Sequence, residues 1–281
     1  KLGSITFQTA ELAKICIIIF LASYLRDTRQ LLVTAGRTVM GISLPPLKHF
    51  GPLLAVWGAA MAMLFVIQDI GSSLMFFGAF LAVLYVATSR LLFPIVGLVM
   101  FGVGARVLYA VRPTIQNRVD AWQDPFNQTL YDQVGGSYQL AQSLFAQADG
   151  GVLGRGFGQA LLKTGDSTLL PAAHTDLVYA VITNELGLVG ACGVILTYLL
   201  IVQRGFKTAM LARDSFSKLL AAGLTSVVAL QVFVIVGGVT KVIPLTGVTL
   251  PFISYGGSSI VANFILLALL LVVSDKARRP A

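Results

Sequence analysis

Long apolar runs separated by short polar or Pro/Gly-rich connections dominate the chain. The runs at 10–26, 50–67, 72–88, 91–111, 177–203, 218–240 and 258–274 match the roughly 17–25 residues a helix needs to cross a bilayer, which predicts about seven spanning helices. Residues 112–176 break this rhythm, with Gln, Asn, Asp and Gly replacing the aliphatics. Within them, positions 138–148 put apolar side chains at 140, 141, 144, 145 and 148, with Gln139, Gln142 and Gln147 off that stripe. That spacing predicts a short amphipathic helix near the outer interface. The following GGVLGRGFGQ, with glycines at 150, 151, 154, 156 and 158, predicts a loop able to approach a ligand closely. Neither a preceding strand nor GxGxxG or Walker spacing accompanies it, which argues against a nucleotide site. The length of 112–176 favours a functional insertion over a connector.

A second interruption is shorter and sharper. Residues 244–259, PLTGVTLPFISYGGSS, separate two apolar runs with Pro, Gly and hydroxyl residues and no charge. Pro244 and Pro251 remove backbone donors, and Gly256 and Gly257 permit positive φ or a close approach. Irregular backbone between spanning segments must find partners within protein or line a wet cavity, so 241–257 reads as a re-entrant or cavity-lining segment. A tight connection between two helices is the alternative.

Composition sharpens the class. With 56% hydrophobic and 11% charged residues and a mean hydropathy of +0.84, the chain is no water-soluble globule, whose charged share is about a quarter. It reads as all-α, a polytopic integral membrane protein with one membrane domain over 1–281. The net charge of +8 predicts no nucleic-acid partner, because of where it lies. Arg26, Arg29, Arg37 and Lys48, then Arg90, then Arg204, Lys207, Arg213 and Lys218, then Lys276, Arg278 and Arg279 occupy alternate connections. Positive residues mark the cytoplasmic side, which puts Asp69, 112–176 and 241–257 outside. Membrane lipid is then a partner of the basic side. Cys16 and Cys192 lie in apolar runs without ligand neighbours and read as small core residues. The opening residues lack a signal-peptide pattern, and an odd span count with the C-terminus inside places Lys1 outside.

Ionisable groups in apolar runs are expensive and so are candidates for function. Glu11 and Lys14, three residues apart on a helix, read either as a structural ion pair or as a charged pair facing a central cavity. Asp69, just before a span, is either an N-cap or a cavity residue. Asp176, in PAAHTDLVYAV, stands where the polar segment turns into a span, the boundary at which chemistry on a lipid-linked polar head would occur. Capping by Thr175 or Asp176 is the other reading.

The wording of several segments is more specific than their composition. TKVIPLTGVTLPFISYGGSSIVANF, at 240–264, closely resembles the terminal signature of the SEDS family of membrane glycosyltransferases, in its RodA-like, actinobacterial form. TAELAKI resembles the family's PSE(F/L)AK, with Thr9-Ala10 for Pro-Ser, and IQDIGSSL its QPDLGT, with Gln68 for Pro. Arg118, Trp122 and Asp124-Pro125 follow the family's R…F/W…(D/N)P pattern, and Tyr138-Gln139 with Gln142-Ser143 its GYQ…QS. Departures are Asn184 for the first acid of GEELG, leaving Glu185 alone, Ile235 for the common Asn after Gln231, and Lys241 where many relatives have Gly.

The resemblance implies polymerisation of lipid II into glycan at the outer face of the bacterial cytoplasmic membrane, serving elongation and rod shape. It makes Asp176, in the family's HTD motif, the catalytic residue, with His174 as an orienting neighbour. It implies supporting or substrate-binding roles for Glu11, Lys14, Asp69, Arg118, Gln139, Gln142, Lys163, Ser254, Gly256 and Gly257. Arg118 suits a diphosphate because guanidinium offers paired donors; Arg155 and Lys163 add positive charge. The expected partners are lipid II, undecaprenyl diphosphate-linked glycan and a class B penicillin-binding protein. No cofactor is certain. A divalent cation, Mg or Mn, stays open, with no metal-ligand set legible. Family members have more spans, so about three N-terminal helices are expected to precede these. A lipid II flippase or other transporter, and a noncatalytic scaffold of the wall-building complex, are the alternatives.

Overall fold

The computed structural model describes residues 8–34, 37–39, 42–44, 47–62, 70–133, 136–160, 163–164 and 167–279. Among them the chain is predominantly helical. The helices are α1 (Thr9–Thr34), α2 (Leu47–Ala62), α3 (Ile70–Thr88), α4 (Leu92–Val111), α5 (Pro113–Gln123), α6 (Gln128–Tyr131), α7 (Tyr138–Gly150), α8 (Val178–Leu211), α9 (Ser215–Val239) and α10 (Gly257–Arg278). Two antiparallel hairpins, β1 (Arg37–Val39) with β2 (Ile42–Leu44) and β3 (Lys163–Thr164) with β4 (Ser167–Thr168), add two or three residues per strand to the expected all-helical pattern. They pair backbone groups in connections that apolar periodicity does not read.

Five helices, α3, α4, α8, α9 and α10, are long and apolar enough to cross a membrane. The chain is that of a multi-pass membrane protein. The other two expected spans correspond to α1, which carries Glu11, Lys14, Arg26, Asp27 and Arg29 along its length, and to α2, which has 16 described residues. Asp69 lies outside the described residues.

The chain divides into two compact units. In the first, Lys1–Gly104 with Val202–Leu230 and Val261–Ala281, helices approach at glycines. A Cβ on Gly223 would stand 2.7 Å from both Ile18 and Val83, and one on Gly78 would stand 2.7 Å from Leu230. Small residues let apolar helices pack by dispersion where lipid removes much of the hydrophobic driving force. Ile18, Leu21, Leu25, Phe77 and Leu224 are buried around these approaches. Asp214 starts α9 as its N-cap, accepting from Ser217 N–H at 2.9 Å, while Lys276 donates to its other oxygen at 2.8 Å. Those bonds, the Lys276 one first, hold its carboxyl down to about 2.

The second unit, Ala105–Ile201 with Gln231–Ile260, holds the polar segment. A helix does occupy the amphipathic stretch, as α7, but its buried face is Leu140, Ala141, Ser143 and Gly150, whereas Phe145 and Ala148 of the expected stripe are exposed. Ser143 takes their place because its hydroxyl lies within hydrogen-bond distance of the carbonyls of Leu140, 2.9 Å, and Val239, 3.2 Å. Cys16 and Cys192, expected in the core, are exposed on their helices. Both sit in apolar runs, and a weakly polar thiol tolerates an apolar surrounding.

The run expected as one uninterrupted span, 177–203, is broken. Gly187 has φ 65° and ψ −170° in the middle of α8. The glycine loop repairs the break. Arg155 N–H donates to Asn184 C=O at 2.9 Å and Gly156 N–H to Glu185 C=O at 3.0 Å, while Leu188 and Val189 N–H donate to the carbonyls of Gly151 and Val152 at 2.9 and 3.2 Å. The four backbone groups freed by the break are thus satisfied from outside the helix. Gly150 and Gly154 of this loop thus approach the protein's own backbone, Gly150 at Thr183 and Asn184 and Gly154 at Glu185 and Gly187.

α9 ends in a left-handed turn. Lys241 has φ 62°, and Val242 and Ile243 N–H return to Gly237 C=O at 2.7 and 3.1 Å. A side chain at that φ costs about 1–2 kcal/mol, offset in part by glycine's greater unfolded freedom. Lys241→Gly is expected to stabilise the protein by about 0.5–1 kcal/mol in a thermal melt. A lower midpoint would mean that the lysine side chain contributes more than its backbone loses.

Candidate active site

The irregular segment after α9 is tied down carbonyl by carbonyl. Ser143 lies against Val239 C=O, and Gln147 donates to the same carbonyl at 2.9 Å. Trp122 Nε1 donates to Lys241 C=O at 3.0 Å, and Gln231 Nε2 to Thr249 C=O at 2.7 Å. The Tyr198 hydroxyl donates to Pro251 C=O. The requirement that irregular backbone be satisfied internally is met by side chains arriving from α5, α7, α8 and α9.

This anchored segment in turn holds the turn that carries Asp176. Ala172, at φ 54°, opens it, and its carbonyl accepts from Thr175 and Leu177 N–H at 3.1 and 3.2 Å. Tyr255 N–H donates to His174 C=O at 2.8 Å. The buried Ser254 hydroxyl accepts from Leu250 N–H at 2.8 Å and donates to Thr175 C=O at 2.6 Å. The first turn of α8 begins on Leu177 C=O, which accepts from Ala180 N–H at 2.9 Å. Asp176 is therefore positioned from both sides of its own peptide.

Its carboxylate lines a cavity of about 360 Å³ together with Asn117, Arg118, Gln139, Leu245 and Gly247. Gly247 has φ 73°, and a Cβ there would stand 3.4 Å from Asp176 Oδ2, so the backbone passes close to the acid without a side chain screening it. Burial pushes the Asp176 carboxyl above its usual range, opposed by a hydrogen bond from Thr175 and by the Arg118 charge. A half-buried carboxylate of raised basicity beside a guanidinium can accept a proton while positive charge steadies a neighbouring anion.

Of the expected residues, Arg118, Gln139 and Asp176 come together in this cavity. The His174 side chain is exposed and lies off its walls; only its backbone takes part. Ser254 acts through Thr175, Gly256 adjoins Thr249 and Ser259, and Gly257 opens α10. Gln142 donates to Tyr131 Oη at 2.7 Å and lines a different cavity. Lys163 lies in β3, and its side chain is outside the described residues, as is Asp69 entirely. Glu11 and Lys14, in the first unit, form a buried pair at 2.6 Å. Arg155 pairs with Asp149. Asn117 and Gly247 were not singled out. Asn117 lies one residue from Arg118, and Gly247 is the glycine of PLTGV.

Among the described residues no group of three or more His, Cys, Asp or Glu could hold a metal ion, and Asp176 is the one carboxylate among the described walls of its cavity.

A family model described as "Cell cycle protein", that of FtsW, RodA and SpoVE, matches residues 1–279. The chain belongs to this family. It is the SEDS family of the motif resemblance. This FtsW/RodA/SpoVE member is 43% identical over 280 residues to the peptidoglycan glycosyltransferase RodA of Mycobacterium tuberculosis, covering 100% of the chain and 58% of that protein. It is 31% identical to the stage V sporulation protein E of Bacillus subtilis, covering 98% of the chain and 70% of that protein. The chain thus spans 58% of the length of the mycobacterial relatives at 43% identity. In fold it is similar to a mutant of the Thermus thermophilus rod shape determining protein RodA, with TM-score 0.64, 23% identity, and 100% and 70% of the two chains covered. It is also similar to a chain from a peptidoglycan synthase complex solved for its structural coordination of polymerization and crosslinking, with TM-score 0.60, 23% identity, and 95% and 83% covered.

Proposed function

We propose that this chain is the catalytic part of a peptidoglycan glycosyltransferase that polymerises lipid II at the outer face of the bacterial cytoplasmic membrane. The observation that carries this reading is the Asp176 carboxylate, raised in basicity, in one cavity with Arg118. The names of the mycobacterial relatives support the reaction class. The acceptor sugar's 4-hydroxyl attacks the anomeric carbon of the donor. Asp176 takes the hydroxyl proton as the new C–O bond forms. The bond to the diphosphate breaks, and undecaprenyl diphosphate leaves with the electron pair. Arg118 steadies the charge that grows on it. Asn117 and Gln139, neutral amides on the same wall, orient polar groups of the sugar. Asp176 then returns its proton to water. No second carboxylate is required, since direct displacement at an α-linked donor gives the β-linked product without a covalent intermediate.

Seven spans, with 112–176 and 241–257 outside, complete the topology of this proposal, and the basic connections support it. A class B penicillin-binding protein is the proposed partner. The similar chain from a peptidoglycan synthase complex, in which polymerization is coordinated with crosslinking, supports a transpeptidase of that kind. Full-length protein in detergent, given lipid II and no other enzyme, is expected to yield glycan polymer, resolved by length on a gel. Transfer of lipid II across vesicle membranes with no polymer formed would sink the proposal in favour of transport.

A further inference from the structure

α7 stands between two cavities. Gln139 and Leu140 line the one that holds Asp176, while Gln142, Phe145, Ala146 and Asp149 line a second of about 240 Å³, closed by Leu169, Leu170 and Asn184. One residue in the wall of the second cavity has an unmet chemical demand. Asn184 is nine-tenths buried, and its amide nitrogen is committed to Ala146 C=O at 2.8 Å and to Asp149 Oδ2 at 3.1 Å. With both acceptors taken by the nitrogen, the amide orientation is set, and Oδ1 is left buried with no hydrogen-bond partner in the protein. A buried acceptor of this kind calls for a donor.

Charge narrows what that donor belongs to. Asp149 pairs with Arg155, so the two charges cancel at the cavity edge. Arg155, and after it Asn184, holds the Asp149 carboxyl below its usual range, which keeps it ionised and occupied. A phosphate would find no free cation among the described walls, and an ammonium would have to displace Arg155. The remaining walls are aliphatic except for Gln142, whose amide nitrogen donates to Tyr131 Oη at 2.7 Å, and Phe145, whose ring is half exposed and tilted by 32° against Phe126 at 5.4 Å between centroids. A neutral ligand with an apolar face and several O–H or N–H donors matches this set. A pyranose is such a ligand: its C–H face packs on an aromatic ring while its hydroxyls or acetamido N–H reach amide acceptors.

We propose that this second cavity is a saccharide subsite, in which Phe145 stacks a neutral sugar ring and Asn184 Oδ1 accepts a hydrogen bond from it. The subsite rests on the polymerase reading for its biological ligand, a sugar of the glycan strand beyond the reacting pair. Its chemistry can be tested without catalysis. The probe is a soluble β-1,4-linked tetramer of N-acetylglucosamine, titrated into full-length protein in detergent and followed by calorimetry, with thermal midpoints as the check on folding. Saturable binding is expected, weakened at least fivefold by Phe145→Ala, restored to within twofold by Phe145→Tyr, and retained in Asp176→Asn. Absence of saturable binding in the wild type, or binding unchanged by Phe145→Ala, overturns the subsite. So does binding lost in Asp176→Asn but kept in Phe145→Ala, which would locate the sugar in the other cavity. The polymerase reading falls separately, if Asp176→Asn still makes polymer, and the titration result stands whichever way that assay goes.

Discussion

Asp176→Asn is expected to lower polymerisation of lipid II by roughly 10²–10⁴-fold, the usual contribution of a positioned general base, while the protein melts no lower than the wild type. The two halves of this expectation have one origin. Burial raises the carboxyl's pKa in the folded state, so between the ordinary carboxylate value, about 3.9, and the raised one the native protein holds more protons than the unfolded chain. Stability accordingly falls as pH rises through that window, and above it the folded state carries a constant penalty for the ionised group. An amide of the same shape removes the penalty and the base together. The wild-type rate should rise with pH along an acidic limb that lies above the ordinary carboxylate value, because only the ionised form accepts a proton. An amide variant with more than a tenth of the wild-type rate would remove Asp176 from the chemistry.

Gly187→Ala should be the most damaging conservative change in the second unit. Its φ of 65° with ψ of −170° belongs to a region open essentially to glycine alone, and an added Cβ would collide with the Val152 carbonyl and the Gly154 amide. Those neighbours are backbone and cannot swing aside, so the loop of 150–158 must detach, freeing the groups it satisfies on α8. A loss of roughly 3–5 kcal/mol is expected. Gly193→Ala is the matched control, with nothing within 4 Å of the added atom, and in the same helix it should be neutral or stabilising by up to about 1 kcal/mol. Equal melting midpoints for the two variants would show that the loop contributes nothing to α8.

Apolar run length found most of the long helices because the bilayer constrains a helix by one number. It could not find the break in α8, since Leu186 and Leu188 flank Gly187 and a single glycine in an apolar run reads as helix packing. The repair is made by residues about thirty positions earlier, a pairing that no local period encodes. Pro and Gly did mark the irregular segment after α9, because they act on the backbone itself. Its anchors, Trp122, Tyr198 and Gln231, were hidden by distance along the chain. At the candidate site, Asp176, Arg118 and Gln139 were legible from motif wording, and the structure gathers them in one cavity. His174 was singled out from the wording of the HTD motif, which carries no information on side-chain direction; its side chain is exposed and lies off the described cavity walls. Lys241 was noted as a departure from glycine, and its positive φ gives the physical reason for the glycine elsewhere.

The splinted break also bears on how the chain enters a membrane. Residues 150–158 are synthesised before Gly187, so the segment that completes α8 exists when that helix arrives. Until the two meet, the helix presents unpaired carbonyls of Asn184 and Glu185 and unpaired amides of Leu188 and Val189, which hydrocarbon cannot solvate. Partition of α8 into lipid is therefore coupled to docking of an earlier, polar stretch.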